Sequence, residues 1–402
     1  MARVALSVLV FDRTGSAFTT AAVYALTFLP EILGGTWLPG IADRYPRRTV
    51  MIACDLLRAV LVGAMAIPHM PIAAICALLV VAILAGRPFR AAETALLPDI
   101  FSDEPYVVAT GLRMMTDQLA QLAGFSLGGI AIAVVGARGG LAIDAATFVV
   151  SAALITVYIH RRPAPAAPED DPDRLASTST RVAIKLLWRD PSMRVLVGLG
   201  WLAAFFVAPE GLAAAYAATI GPGPTRVGLL LAAIASGCAL GTYLLVRVLP
   251  QYRQHVLLGP LAIAAGIPLL ACALKPGLIV SLLLWAMSGV FSAYQVLAAA
   301  WLIKALPAHR RGQIIGLVGS GLVTIQGVGI LGFGAVADYI GPAGAVAVAG
   351  AAGSALAVPL AVAWARIPWE LPDRYRPRHR GAIGPREPSR HHKTGRVPAA
   401  SD

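Results

Sequence analysis

Long apolar stretches separated by short basic loops organise this chain. Eleven of them can cross a bilayer: Phe18 to Ile41, Val50 to Ile67, Met70 to Phe89, Leu112 to Val135, Leu141 to His160, Val195 to Ile220, Val227 to Val246, Val256 to Leu274, Leu278 to Ile303, Ile314 to Ile340 and Ala343 to Ala365. At 1.5 Å rise per residue, about 20 apolar residues cross a hydrocarbon core of roughly 30 Å. The runs lack the alternation of a barrel strand, so the pattern predicts helices, which satisfy their own backbone groups in lipid. A twelfth run, Val4 to Phe11, reaches only about 12 Å. Asp12 and Arg13 follow it directly and no A-x-A-like cleavage site closes it, which favours the outer half of a first span over a signal peptide. Roughly 15 to 25 residues upstream of Met1 are expected to complete that span. Counting it as span 1 makes the run from Phe18 span 2 and the last run span 12.

Composition strengthens this reading. The chain has 402 residues, 57% hydrophobic and 13% charged, with a mean hydropathy of +0.73, too apolar for an ordinary soluble protein. The fold class expected is all-α, a polytopic membrane protein. The net charge of +12 does not point to nucleic acid, because the basic residues lie in short loops and in the tail. With spans numbered as above, the inner loops carry eighteen Arg and Lys and the outer loops four, Arg13, Arg138, Arg226 and Lys275. That bias places both termini in the cytoplasm, in a bacterial plasma (inner) membrane.

The Pro-, Ala- and charge-rich stretch 161–191 reads as a cytoplasmic linker between an N-terminal half, 1–160, and a C-terminal six-span half, 192–367. Residues 368–402 form a basic cytoplasmic tail. A faint repeat supports two halves: GGIAIAVVGARGG from Gly128 is echoed by GFGAVADYIGPAG from Gly332.

Several chemistries are disfavoured. No G-x-x-x-x-G-K-[ST] loop occurs, and no His, Cys and carboxylate cluster suggests a hydrolytic or redox site. Cys54, Cys76, Cys238 and Cys272 sit singly in separate runs and read as packing residues. No enzyme activity, metal or cofactor is expected. The expected partners are a small-molecule substrate, a proton and membrane lipids, with the chain a monomer and no nucleic acid involved.

The loop after span 2, Gly40-Ile41-Ala42-Asp43-Arg44-Tyr45-Pro46-Arg47-Arg48, resembles the signature loop of the major facilitator superfamily. Also similar, in order, are Pro88 to Pro98 (PFRAAETALLP), Asp144 to Ser151 (DAATFVVS) and Arg311-Gly312-Gln313. The resemblance covers about residues 2 to 367 and is nearest the drug-exporter and siderophore-exporter branch. The loop departs from the usual pattern at Gly40 and Pro46. In span 5, Gly124-Phe125-Ser126-Leu127-Gly128-Gly129 stands where an antiporter signature has Gly-Pro followed by Gly-Gly. The resemblance implies two six-helix halves and alternating access, with Asp43 meeting the start of span 11 near Gly312 and Arg47 or Arg48 pairing with Asp117. Asp43, Arg44, Arg47, Arg48 and Asp117 are thus candidate gating residues; the plainer alternative is that the arginines fix topology and bind anionic lipid.

Ionisable groups inside spans are costly and need a reason. Glu31 and Glu210 each lie about 15 to 18 Å from a span end, near the midplane, and are candidates for proton or substrate coupling, or else hydrogen-bonded structural acids. Asp55 and Arg58, three apart on one helix face, are expected to form a structural charge pair. Gln121, Tyr294 and Gln295 are candidate cavity groups. The function expected is proton-coupled export of a small amphipathic molecule; uptake or uncoupled movement is the alternative, and a non-transporting sensor or inactive protein the rival class.

Overall fold

The computed structural model describes residues 2–28, 45–100, 104–160, 187–221, 223–306 and 311–367, which are helical apart from short turns, with no strand among them. Met1–Ile367 is one compact unit and Pro368–Asp402 a second, the latter outside the described residues. Span 1 is α1 (Ala2–Thr14) and the described part of span 2 is α2 (Ala17–Ala25). Gly15, at φ 63, turns the chain between them, and the Ser16 hydroxyl caps α2 by accepting from the Thr19 N–H at 3.1 Å. Spans 3 and 4 are α3 (Arg47–Met65) and α4 (Ile72–Ile100), and α5 (Glu104–Tyr158) carries spans 5 and 6.

Span 7 is broken into α6 (Pro191–Trp201), α7 (Ala203–Phe206) and α8 (Ala208–Ile220). Span 8 is α9 (Pro224–Arg247); span 9 is α10 (Gln251–Ala264), α11 (Ile267–Leu270) and a 3-10 turn. Span 10 is α12 (Leu278–Ser292) and α13 (Tyr294–Ala305), and α14 (Arg311–Ala365) carries spans 11 and 12. Helix therefore occupies all twelve expected positions. Seven helical stretches among the described residues are long and apolar enough to cross a membrane, and two of these hold a pair of expected spans each.

Those two pairs differ from the expected run boundaries. The sequence pattern leaves a five-residue loop between Val135 and Leu141, whereas the structure turns on one residue, Gly136, at φ 77, ψ 170; Gly341 does the same at φ 81, ψ 158. Only glycine adopts this conformation without strain. The chain doubles back at Gly136. In a straight helix Gly140 and Ile132 would lie about 12 Å apart, yet a Cβ built on Gly140 would meet Ile132 Cγ1 at 2.8 Å. The two turning glycines are 205 positions apart, within one residue of the spacing of the faint repeat.

Packing is that of a membrane protein. Large apolar side chains such as Val60, Val134, Leu274 and Ile279 are exposed around the outside, where lipid is their solvent. Inside, small residues let backbones approach: Gly237 and Gly241 of α9 lie against the backbone of Ala286 and Val290 in α12.

Candidate functional site

Two interrupted helices build the centre. Pro209 lacks an N–H and breaks span 7, so α8 begins within the crossing and Glu210 sits in its first turn. The break is tight: the Val207 N–H still donates to the Ala203 carbonyl at 2.9 Å and the Glu210 N–H to the Val207 carbonyl at 3.0 Å. In span 10, Ala293 separates α12 from α13, and Gln295 lies in the first turn of α13. Both breaks border one cavity of about 200 Å³, whose polar wall includes Glu210, Ser292, Gln295, Gln326 and Cys238, with Phe125 of α5 and Phe206 among its apolar residues. It therefore touches elements from both ends of the chain, a size and polarity suited to part of an amphipathic solute.

Glu210 also reaches the start of the chain. The Tyr24 hydroxyl of α2 donates to Glu210 Oε2 at 2.8 Å. The Arg3 guanidinium of α1 stands 5.8 Å from the ring centroids of both Tyr24 and Phe28, and its charge acts on Tyr24 and Glu210 alike. Arg3 and Tyr24 carried no role in the sequence pattern. Their signal was depth: Arg3 precedes Asp12 by nine residues, about 13 Å along a helix, and Tyr24 lies about 11 Å into span 2.

The other expected residues distribute unevenly. Glu31, Asp43 and Arg44 lie outside the described residues, as do the side chains of Asp117 and Gln121. Gln295 lines the cavity, but Tyr294 is fully buried away from its wall, donating its hydroxyl to the Leu199 carbonyl at 3.0 Å and packing edge-on against Phe206. That bond ties α13 to α6; Tyr294 points about 100° around the helix from Gln295, toward α6 rather than the cavity.

Arg47 and Arg48 tie α3 to its neighbours: Arg47 donates to the Ala95 carbonyl of α4, and Arg48 to the Thr156 carbonyl in the last turn of α5 at 2.6 Å. Cations are favoured at a carbonyl-rich C-terminal end such as that of α5. Asp55 and Arg58 make the expected pair at 3.7 Å, with Asp55 1% exposed. The Arg58 guanidinium also lies over Phe148 at 4.1 Å, which joins span 3 to span 6.

Among the described residues, two close contacts between the two ends of the chain lie at the arginine-poor face of the bundle, the face whose loops carry few basic residues. There a Cβ on Gly129 of α5 would meet Gly228 Cα of α9 at 2.6 Å, and one on Gly334 of α14 would meet Ala21 Cβ of α2 at 2.6 Å. The Phe18 N–H donates to Asp338 Oδ1 at 3.3 Å beside the second contact. On this side the two ends of the chain thus touch at one backbone contact and one side-chain contact.

Comparison with known proteins agrees with this architecture. The sequence profile described as Major Facilitator Superfamily matches residues 1–219. The multidrug efflux pump Tap of Mycolicibacterium fortuitum is 27% identical over 358 residues, 84% of this chain and 85% of its own. The enterobactin exporter EntS of Salmonella typhimurium is 25% identical over 329 residues, 80% and 77% of the two chains. Among solved structures, the nucleoside transporter NupG aligns at TM-score 0.69 and 14% identity over 90% of this chain and 96% of its own. A bacterial homologue of the human lysosomal transporter Spinster, in an inward-facing and unoccupied conformation, aligns at TM-score 0.66, 14% identity, and 90% and 92% coverage. With helix at twelve positions, a cavity between interrupted helices and a profile match over more than half its length, this chain belongs to the Major Facilitator Superfamily and is a multi-pass membrane transporter.

Proposed function

We propose that the chain is a proton-coupled exporter of a small amphipathic molecule, working by alternating access in the inner membrane with both termini cytoplasmic. One observation carries the reading: the Tyr24–Glu210 hydrogen bond joins span 2 to span 7 beside the cavity. A carboxylate accepts that bond and attracts Arg3; a protonated carboxyl has lost the charge that makes both contacts strong. Proton gain at Glu210 therefore loosens a tie between the two ends of the chain, and proton loss restores it. The breaks before α8 and α13 bring helix ends to the same cavity, as in transporters that bind solutes at discontinuous helices. Export is the direction suggested by the names of the efflux pump and the enterobactin exporter. Glu31 is a second carboxyl for the same task, and Asp43, Arg44, Arg47, Arg48 and Asp117 belong to the gate on the basic face.

The departure of span 5 from the antiporter signature favours uncoupled movement or uptake as the second reading. One experiment separates them. In proteoliposomes with an imposed pH gradient, Glu210→Gln is expected to transport at a rate that no longer follows the gradient. A variant that still accelerates with the gradient as the unmodified protein does would remove Glu210 from coupling.

A further inference from the structure

Resting on the reading of Glu210 as part of the transport site, we propose that Tyr24, Phe28 and Glu210 form a subsite for a planar organic monocation, and that Arg3 occupies it as an internal competitor. The two rings have centroids 6.2 Å apart and planes inclined at 44°, an open wedge rather than a stack. A guanidinium lies 5.8 Å from both centroids, within the roughly 6 Å over which a cation is drawn to a ring face. The wedge has a carboxylate at its edge, held by the Tyr24 hydroxyl. Aromatic faces with one negative charge select flat monocations over anions and neutral solutes.

The wall and its occupant differ in mobility. Tyr24 and Phe28 are 2% and 9% exposed and fixed by packing, whereas Arg3 reaches the wedge on a long flexible stem. Arg3 can leave without disturbing the rings. An arginine about 13 Å from the end of its span also has no topological task, and such a residue is expected to face a partner or water rather than lipid. Beyond Glu210, the cavity with Ser292, Gln295 and Gln326 offers room and neutral hydrogen bonds for the remainder of a solute whose cationic end displaces Arg3.

The test is equilibrium binding of ethidium, a planar aromatic monocation, to the purified full chain in detergent, read by fluorescence anisotropy with no gradient present. If Arg3 fills the subsite about nine-tenths of the time, its removal tightens binding by about tenfold. Arg3→Ala and the more conservative Arg3→Gln are both expected to bind ethidium more tightly, and Phe28→Ala added to either is expected to reverse the gain. In the unmodified protein, methylguanidinium should displace ethidium while benzoate should not. Unchanged or weaker binding in the folded Arg3 variants, or displacement by benzoate alone, overturns the proposal. Because no transport is measured, a protein that binds cations competitively but ignores a pH gradient would retain this inference and lose the proton-coupled reading, and the reverse result would do the opposite.

Discussion

The two contacts that close the arginine-poor face occupy equivalent places in the internal repeat, yet they are built differently. Gly129 and Gly334 are 205 positions apart, each a few residues before its turning glycine. Gly129 meets the backbone of Gly228, with Thr225 and Phe125 carbonyls close by, so neither partner has a side chain that could move aside. Gly334 meets the methyl of Ala21, and its neighbour Asp338 adds a charged acceptor for the first turn of α2. The first contact is purely steric. The second is partly polar, and lies in the same helix, α2, as the Tyr24 that reaches Glu210. Under the alternating access proposed above, the α5–α9 contact would act as a stop. The α2–α14 contact would be the one open to adjustment, through the helix it shares with the Tyr24–Glu210 bond.

The comparison can be broken by crowding each contact in turn. Gly228→Val has the largest expected effect, because its Cβ would lie 2.5 Å from Gly129 Cα and 2.8 Å from the Phe125 carbonyl. The closed face then cannot form. Transport should fall by at least about tenfold, the consequence of a shift of roughly 1.4 kcal/mol between states. Cys238, in the cavity wall, should become reactive to an impermeant maleimide added on the arginine-poor side. Normal transport with Cys238 still protected would mean that the backbones part easily and the stop is not one.

Gly334→Ala is expected to do less, because two methyl groups collide instead of two backbones. The overpacking costs about 1–3 kcal/mol, and Ala21→Gly on the facing helix should relieve most of it. A double-mutant cycle on transport rate measures the relief; independent, additive losses would show that the two residues do not meet in the working protein. The smallest effect is expected from Asp338→Asn. It keeps an acceptor for the Phe18 N–H and removes only the charge near the helix start, about 0.3–1 kcal/mol. A few-fold change in Cys238 protection at low salt, fading as salt is raised, would identify that charge as the cause. A loss as large as that of Gly228→Val would instead make Asp338 the main lock.

Hydropathy made the spans legible, because lipid requires each crossing to satisfy its own backbone within an apolar run. The Asp55–Arg58 pair was legible for a similar reason, since residues three apart on a helix can hardly avoid each other. The depth of Glu210 could be counted along its helix, but its partner could not: Tyr24 is 186 positions away, and only packing of α2 against α8 brings them together. Arg3 lies just before the short apolar run Val4 to Phe11, so hydropathy alone did not set it inside a span. The single-residue turns were hidden in runs that already ended near them, and the repeat that contains both glycines was visible only as a weak likeness. Tyr294 and Gln295 looked equivalent as polar neighbours in one run. The helical rotation between adjacent residues sends one to Leu199 and leaves the other on the cavity.

The turns at Gly136 and Gly341 also bear on how the chain enters the membrane. A crossing followed by a loop can be released into lipid before its successor is made, but limbs joined through one residue leave no slack between them. Spans 5 and 6, and again 11 and 12, are therefore expected to be inserted as finished hairpins, each tip carrying one charged residue close to the turn, Arg138 in the first and Asp338 in the second. With both termini cytoplasmic, as proposed, those two side chains are the charge that biogenesis would bring across for each hairpin. Lengthening either turn with a flexible segment would uncouple the limbs during synthesis while leaving the contacts of the finished bundle intact.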